Sequence, residues 1–148
     1  MSKIKISTNI AHLPSFKEYR ISAQELVQKY SDLGVEIPFP VSDSWYYHTD
    51  RVGWAKIVPD LLIKSSLYKQ DRFDCEDMAL KAQTTCTERN GLNTLRYTYG
   101  SMSLGFHGFN TLWTGDAFLI FEPNSGYQLE SPLFEIGMFG YLPQKVLL

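Results

Sequence analysis

Apolar residues recur at helical spacing in two regions of the first 70 residues. Ser22 and Glu25 form a capping-box pattern, in which a serine hydroxyl and a glutamate carboxylate satisfy backbone amides at a helix start. An apolar stripe follows, and Gly34 can end this helix. A second helical region is predicted over about 50–67. Pro59 is expected to kink that region or to begin a separate helix.

A third helix is predicted over residues 75–89. Asp74 is a suitable N-cap, and Gly91 follows the segment as a stop signal. One narrow face of this helix carries only small residues, which allow close approach to a neighbouring sheet. These residues are Cys75, Ala79, Ala82 and Cys86.

The second half of the chain alternates in a pattern typical of strands. Strands are predicted at 95–99, 104–113 and 117–121, with a turn at 114–116. Weaker signals suggest short strands at 3–6, 127–129 and 145–148, whereas 42–50 is expected to be a polar and aromatic connection. Helices followed by an antiparallel meander predict an α+β fold, with N-terminal helices packed on one antiparallel sheet.

Composition and net charge argue against binding to nucleic acid or to membranes. The 148 residues are 44% hydrophobic and carry a net charge of −2, which suits one domain over 1–148 and gives no reason to expect nucleic acid. No apolar stretch approaches the length of a membrane span, and the N-terminus lacks a signal-peptide pattern. We therefore expect a cytoplasmic protein that does not contact membranes. The pattern specifies no oligomeric state.

Cys75 is the first candidate for chemistry. A helix N-terminus favours the reactive thiolate, but the adjacent Glu76 and Asp77 disfavour it, so a nearby imidazolium would be needed. A buried, inert thiol is the alternative interpretation, and we assign Cys86 to that class. Three histidines could serve as the base: His12, His48 and His107.

His107 is the best placed of these histidines, because it lies between glycines in an apolar strand. A two-residue turn at 114–115 would place His107 directly opposite Glu122. A turn at 115–116 would place Glu122 opposite Phe109, on the same sheet face as His107. Either register brings Glu122 within reach of His107, whereas a three-residue loop would reverse the parity and place Glu122 on the other face. The order cysteine, histidine, carboxylate suits an acyl-transfer enzyme that uses an oriented thiolate–imidazolium pair.

These segments resemble the papain-like and transglutaminase-like cysteine peptidase superfamily. The matching motifs are DCED at the start of the third helix, HGFN at 107–110 and FEP at 121–123. The DCED motif is similar to bacterial transglutaminase-like cysteine proteinases. The other two motifs are closer to the protease domain attached to a mushroom agglutinin and its bacterial and phage relatives. The resemblance covers about residues 70–129.

The resemblance implies a papain-like/transglutaminase-like fold and a peptide or protein substrate cleaved or transferred at an amide. It assigns Cys75 as nucleophile, His107 as base and Glu122 as orienting acid, with Asn124 as the rival orienting residue. Gly108, directly after the histidine, departs from many relatives, which have alanine or an aromatic residue in this segment. Some relatives require calcium. The acidic residues beside Cys75 could attract a cation, although such a cluster at a helix start is more often a solvated cap, so calcium is not placed and no other cofactor is expected.

An active enzyme of this kind needs a donor for the oxyanion. Gln70 is our candidate, since papain-like enzymes use a glutamine shortly before the cysteine together with the cysteine's own amide. Trp45 and Trp54 are alternative donors and, with Tyr46 and Tyr47, candidate residues of a substrate groove.

Two other functions are compatible with these residues. The first is a catalytically inactive, peptidase-like binding module that uses the aromatic groove. The second is a metal site formed by Cys75, Asp77 and His107, which lacks the close ligand spacing of structural zinc sites.

Overall fold

The computed structural model describes residues 14–127 and 129–148. Its described part has an α+β fold, as predicted. The elements in chain order are β1 (Tyr19–Ser22), α1 (Ala23–Asp32), β2 (Trp45–His48), α2 (Arg51–Ile57), α3 (Cys75–Asn90), β3 (Arg96–Met102), β4 (Gly105–Trp113), β5 (Phe118–Phe121), β6 (Leu133–Glu135) and β7 (Leu142–Val146). Short 3-10 turns cover Val58–Leu61, Ser65–Leu67 and Met138–Gly140.

The main sheet has five antiparallel strands in the order β6-β5-β4-β3-β7. Consecutive strands β3 to β6 form the predicted meander. The last strand of the chain, β7, returns to pair with β3 and closes the other edge. Strands β1 and β2 form a separate two-stranded sheet.

Helices α1 and α3 begin where their caps predict. The Ser22 hydroxyl accepts from the Glu25 amide, and the Glu25 side chain accepts in return from the Ser22 amide. Asp74 and Asp77 make the same reciprocal arrangement at the start of α3. The α3 helix ends at Gly91, which adopts the left-handed conformation with φ 67°.

Alternation along β4 separates the residues that face the two helices. Asn110 donates to the carbonyl of Ala79 in α3 at 2.9 Å, whereas Thr111 shares a hydrogen bond of 2.7 Å with Tyr30 in α1. Because neighbouring strand residues point to opposite faces, α1 and α3 cover opposite faces of the main sheet. The helices therefore pack on both faces of the sheet, and the sequence had not specified a face.

Three segments differ from their predictions. The second helical region is α-helical only to Ile57; a separate 3-10 turn begins at Val58, and Pro59 within it cannot donate a helical hydrogen bond. The predicted connection over 42–50 contains β2, and the sheet edge expected near 127–129 is formed instead by β6. The strand predicted at 3–6 and His12 lie outside the described residues.

No helix within residues 14–127 or 129–148 is long and apolar enough to cross a membrane.

Candidate active site

Cys75 is the first residue of α3 and is partly accessible, whereas Cys86 is completely buried in the core. The Cys75 thiol donates to Glu76 Oε2 at 3.1 Å. Its sulfur also accepts from the backbone N–H of Gly108 in β4, at 3.5 Å. The thiol therefore lies against the strand backbone, one residue from His107.

The absence of a side chain at Gly108 permits this close approach. A Cβ atom placed there would lie 3.1 Å from the Cα and 3.2 Å from the amide nitrogen of Glu76, and 3.1 Å from the Tyr97 ring. Both backbone contacts involve the first turn of α3. Gly108 thus sets how closely the start of α3 approaches the histidine strand.

His107 forms a buried hydrogen bond with Glu122. Its Nε2 lies 2.6 Å from Glu122 Oε2, and the two side chains are only 5% and 2% exposed. The pairing of Asn110 with Phe121 shows that the hairpin turns at 115–116. This is the second of the two registers considered above, which places Glu122 on the same sheet face as His107.

Three donors surround the Glu122 carboxylate. Tyr141 donates its hydroxyl to Oε2 at 2.8 Å, in addition to the contact from His107, and the Asn124 backbone N–H donates to Oε1 at 3.1 Å. A buried carboxylate is costly unless it is hydrogen-bonded. These contacts meet that requirement and fix the carboxylate relative to the imidazole.

The pKa of His107 reflects opposing effects. Burial lowers it, but hydrogen bonding to Cys75 and Glu122, together with the charges of both groups, raises it to about 9. An imidazole with this pKa is protonated near neutral pH, and the imidazolium is the form that stabilises a neighbouring thiolate.

Cys75 and His107 line the same open cavity of about 530 Å³. The other described residues of its wall are mostly aromatic, apolar or uncharged polar: Ser65, Tyr68, Met102, Leu104, Phe106, Asn124, Gly126 and Tyr127. A larger cavity of about 820 Å³ includes His48 and Trp113 but neither Cys75 nor His107. The smaller cavity is therefore the one relevant to thiol chemistry.

Two predicted roles are not supported by the positions of their residues. Trp54 is completely buried, and its indole N–H donates to the Trp113 carbonyl at 2.8 Å, so it can neither line an open groove nor bind an oxyanion. Tyr46 is also completely buried. Trp45 is exposed but lies beneath the Arg20 guanidinium and is not part of the Cys75 cavity wall. The groove prediction was therefore wrong for Trp54 and Tyr46, because an aromatic pattern does not distinguish a core from a surface. For Trp45 it stays a prediction.

Gln70 and Asn124 also differ from their predicted roles. Gln70 lies in an exposed turn and is not part of the cavity wall. Asn124 does line the cavity, but its side chain accepts from the Gly126 amide at 2.9 Å. The partner of His107 is Glu122, while Asn124 supports that carboxylate through its backbone.

The proposed metal ligands do not all converge. The side chain of Asp77 accepts from the Asp74 amide in the helix cap. Ligand atoms of Asp74, Cys75 and Glu76 lie within 4.8 Å of one another, but this grouping excludes His107. The arrangement does not favour a site formed by Cys75, Asp77 and His107.

Sequence reasoning missed two residues of this site. The Tyr141 hydroxyl donates to Glu122. In the sequence, the only indication of this role is that Tyr141 carries a polar hydroxyl among apolar neighbours. Asn110, noted as part of a motif, joins the histidine strand to α3 through its bond to Ala79. Both contacts span long sequence separations, which a local pattern cannot show.

No protein-family model and no curated protein sequence matches this chain. Among solved structures, the fold is similar to that of a PSL1a–E64 complex, with a TM-score of 0.65 and 17% sequence identity. The similarity covers 87% of this chain and 51% of the other, so the present chain spans about half the length of that protein. At this identity the likeness concerns the fold.

Proposed function

We propose that this protein is a cysteine peptidase, or a related amide hydrolase or acyl transferase, of the papain-like and transglutaminase-like superfamily. Its substrate is a peptide or protein amide. Cys75 acts as nucleophile, His107 as general base and acid, and Glu122 as the orienting carboxylate. The observation that carries the proposal is the buried 2.6 Å bond between His107 and Glu122 beside the thiol cavity.

The bond to Glu122 occupies Nε2 of His107, which leaves Nδ1 as the ring nitrogen for exchange with the thiol. In the reactive ion pair the proton of the Cys75 thiol resides on His107. The thiolate attacks the amide carbonyl carbon to form a C–S bond, and the carbonyl π electrons move to the oxygen. The C–N bond breaks as His107 returns the proton to the departing nitrogen. Water then cleaves the thioester, or an amine accepts the acyl group.

The developing oxyanion also needs a donor, and removing one such donor typically costs about 2.7–4 kcal/mol. We assign this role to the backbone N–H of Cys75, which lies in the first turn of α3, where amides have no intrahelical partner. This assignment replaces the Gln70 side chain, which lies in an exposed turn.

Alkylation rates test the proposal. We expect iodoacetamide to modify Cys75 much faster than Cys86, since the first is accessible and the second is buried with a pKa raised to about 12. His107→Ala should slow Cys75 alkylation near neutral pH and reduce any amide turnover by about 10²–10⁴-fold. Rates are followed by mass spectrometry of the two peptides. Equal rates for the two cysteines, or no effect of His107→Ala, would contradict the proposal.

One observation favours a second candidate, the inactive binding module. The Cys75 thiol donates to Glu76, and a thiol in this role carries its proton. The compound E64 separates the two functions. A peptidase should form a covalent adduct at Cys75, detected as a mass increase absent from Cys75→Ser, whereas a binding module should remain unmodified.

A further inference from the structure

The rim of the Cys75 cavity carries two unusually exposed apolar side chains. Leu104 and Phe106 lie at the tip of the β3–β4 hairpin, and 86% and 70% of their surfaces are accessible. Among the described residues, no other large hydrophobic side chain is as exposed as either of them. Apolar groups that remain in water beside a functional cavity are typical of a binding surface.

Phe106 is also held in place. Its ring stacks on Tyr99 of β3, with ring centres 5.6 Å apart and planes inclined by 15°. Tyr68 and Tyr127 line the same cavity. A flat or branched apolar group bound in this cavity would therefore contact aromatic side chains.

The scarcity of charged side chains in the cavity wall favours uncharged substrate side chains. None of its ten described residues is a lysine, arginine, aspartate or glutamate. The larger cavity differs, because Arg20, Lys29, Asp50 and Asp116 all line it. Apart from the Cys75–His107 pair itself, the cavity wall thus offers no charged partner to compensate an ionic substrate side chain for its lost water.

We propose that Leu104 and Phe106 form a specificity site that selects substrates with a bulky, uncharged apolar side chain next to the reacting amide. The proposal rests on the function proposed above and names the substrate class of the same cavity. Ser65 and Asn124 contribute uncharged polar groups to the cavity wall.

Paired alkylating probes test this specificity without requiring a known substrate. One probe is an iodoacetamide with an N-phenethyl group, and the other has an N-hydroxyethyl group. Each rate at Cys75 is divided by the rate of the same probe with glutathione, which removes intrinsic reactivity. We expect the phenethyl probe to be favoured about 10-fold or more, the range that small differences in apolar contact produce in enzyme pockets.

Phe106→Ser and Leu104→Ser should each reduce this preference, and the double variant should abolish it. Because both side chains are exposed, the variants should fold, which circular dichroism checks. Phe39→Ser is the matched control, since Phe39 is 64% exposed and lies outside the cavity wall. It should leave the preference unchanged.

The possible failures are distinguishable. Fast reaction of Cys75 with both probes, but with no phenethyl preference, would overturn the specificity site and leave the thiol enzyme intact. A preference that survives the double variant would also overturn it. If Cys75 reacts with neither probe faster than glutathione does, the proposed enzymatic function fails, and the specificity site fails with it.

Discussion

At the scale of single residues, the site depends on how one buried carboxylate is satisfied. Glu122 is 1% exposed and accepts from His107, Tyr141 and a backbone amide. An ionised group in this position requires several donors, since an unpaired buried charge is strongly unfavourable. The hydroxyl of Tyr141 is thus part of the system that holds the imidazole, although it does not touch Cys75 in the described contacts.

Tyr141→Phe removes this hydroxyl and keeps the ring that packs against Phe109 and Phe134. We expect the free energy of unfolding to fall by about 1.5–3 kcal/mol, the typical contribution of a hydrogen bond to a charged group. Urea denaturation measures the change. Tyr99→Phe, at a more exposed ring, is the control and should change stability by less than about 0.5 kcal/mol. Equal effects of the two variants would contradict a special role for Tyr141.

At the scale of elements, the site forms where the start of α3 meets β4. Two contacts set this junction: the hydrogen bond from Asn110 to Ala79 and the close approach at Gly108. The helix supplies the sulfur, and the strand supplies the imidazole. Their separation therefore depends on packing between the two elements rather than on either one alone.

Gly108→Ala tests this junction. The added methyl group would meet the Glu76 backbone at 3.1–3.2 Å, so α3 and β4 must separate by a few tenths of an ångström. We expect slower alkylation of Cys75 and a loss of amide turnover approaching about 10²-fold, because small misplacements of reacting groups are costly. Ser101→Ala, in the neighbouring strand, should preserve both rates. Unchanged reactivity in Gly108→Ala would show that this contact does not position the thiol.

At the scale of the whole molecule, alkylation of Cys75 reports on the folded protein, whereas alkylation of Cys86 reports on opening of the core. Cys86 is completely buried in a core formed by α2, α3 and the main sheet, and burial raises its pKa to about 12. Cys75 is accessible in the folded protein. Labelling of Cys86 should therefore require opening of the core.

We expect the logarithm of the Cys86 labelling rate to rise with urea concentration, with a slope equal in magnitude to that of the free energy of unfolding divided by RT. The labelling rate of Cys75 should change little below the unfolding transition. Mass spectrometry after timed exposure to iodoacetamide gives both rates in one sample. A Cys86 rate independent of urea would mean that the core opens locally rather than as a unit.

The raised pKa of His107 also links the site to global stability. Its pKa is about 9 in the folded protein against an ordinary value of 6.5. Since the folded-state pKa is raised, the stabilisation by the protonated histidine is complete below about pH 6.5 and is lost as the pH rises through about 9.

Comparison of the protein with His107→Gln isolates this contribution. We expect the difference between their free energies of unfolding to shrink as the pH rises from 6.5 towards 9. Urea denaturation across this interval measures it. A difference that grows with pH would show that the folded protein instead lowers the pKa of His107.

Features that depend on neighbours along the chain were accessible from the sequence. Asp74 and Gly91 indicated where α3 begins and ends, because caps act within one turn. For a two-residue turn, alternation along the strands placed Glu122 on the face of His107, because side chains in a strand repeat every two residues, and the observed turn at 115–116 meets that condition. The α+β class followed from the order of these elements.

Only the tertiary structure decided which distant groups meet. Tyr141 reaches Glu122 across 19 residues, and Gly108 admits Cys75 across 33. It also decided that Trp54 is part of the core, while Leu104 and Phe106 remain exposed at the cavity. Local patterns specify direction and periodicity, but contact between remote segments depends on how whole elements pack, and that packing assembles the candidate site.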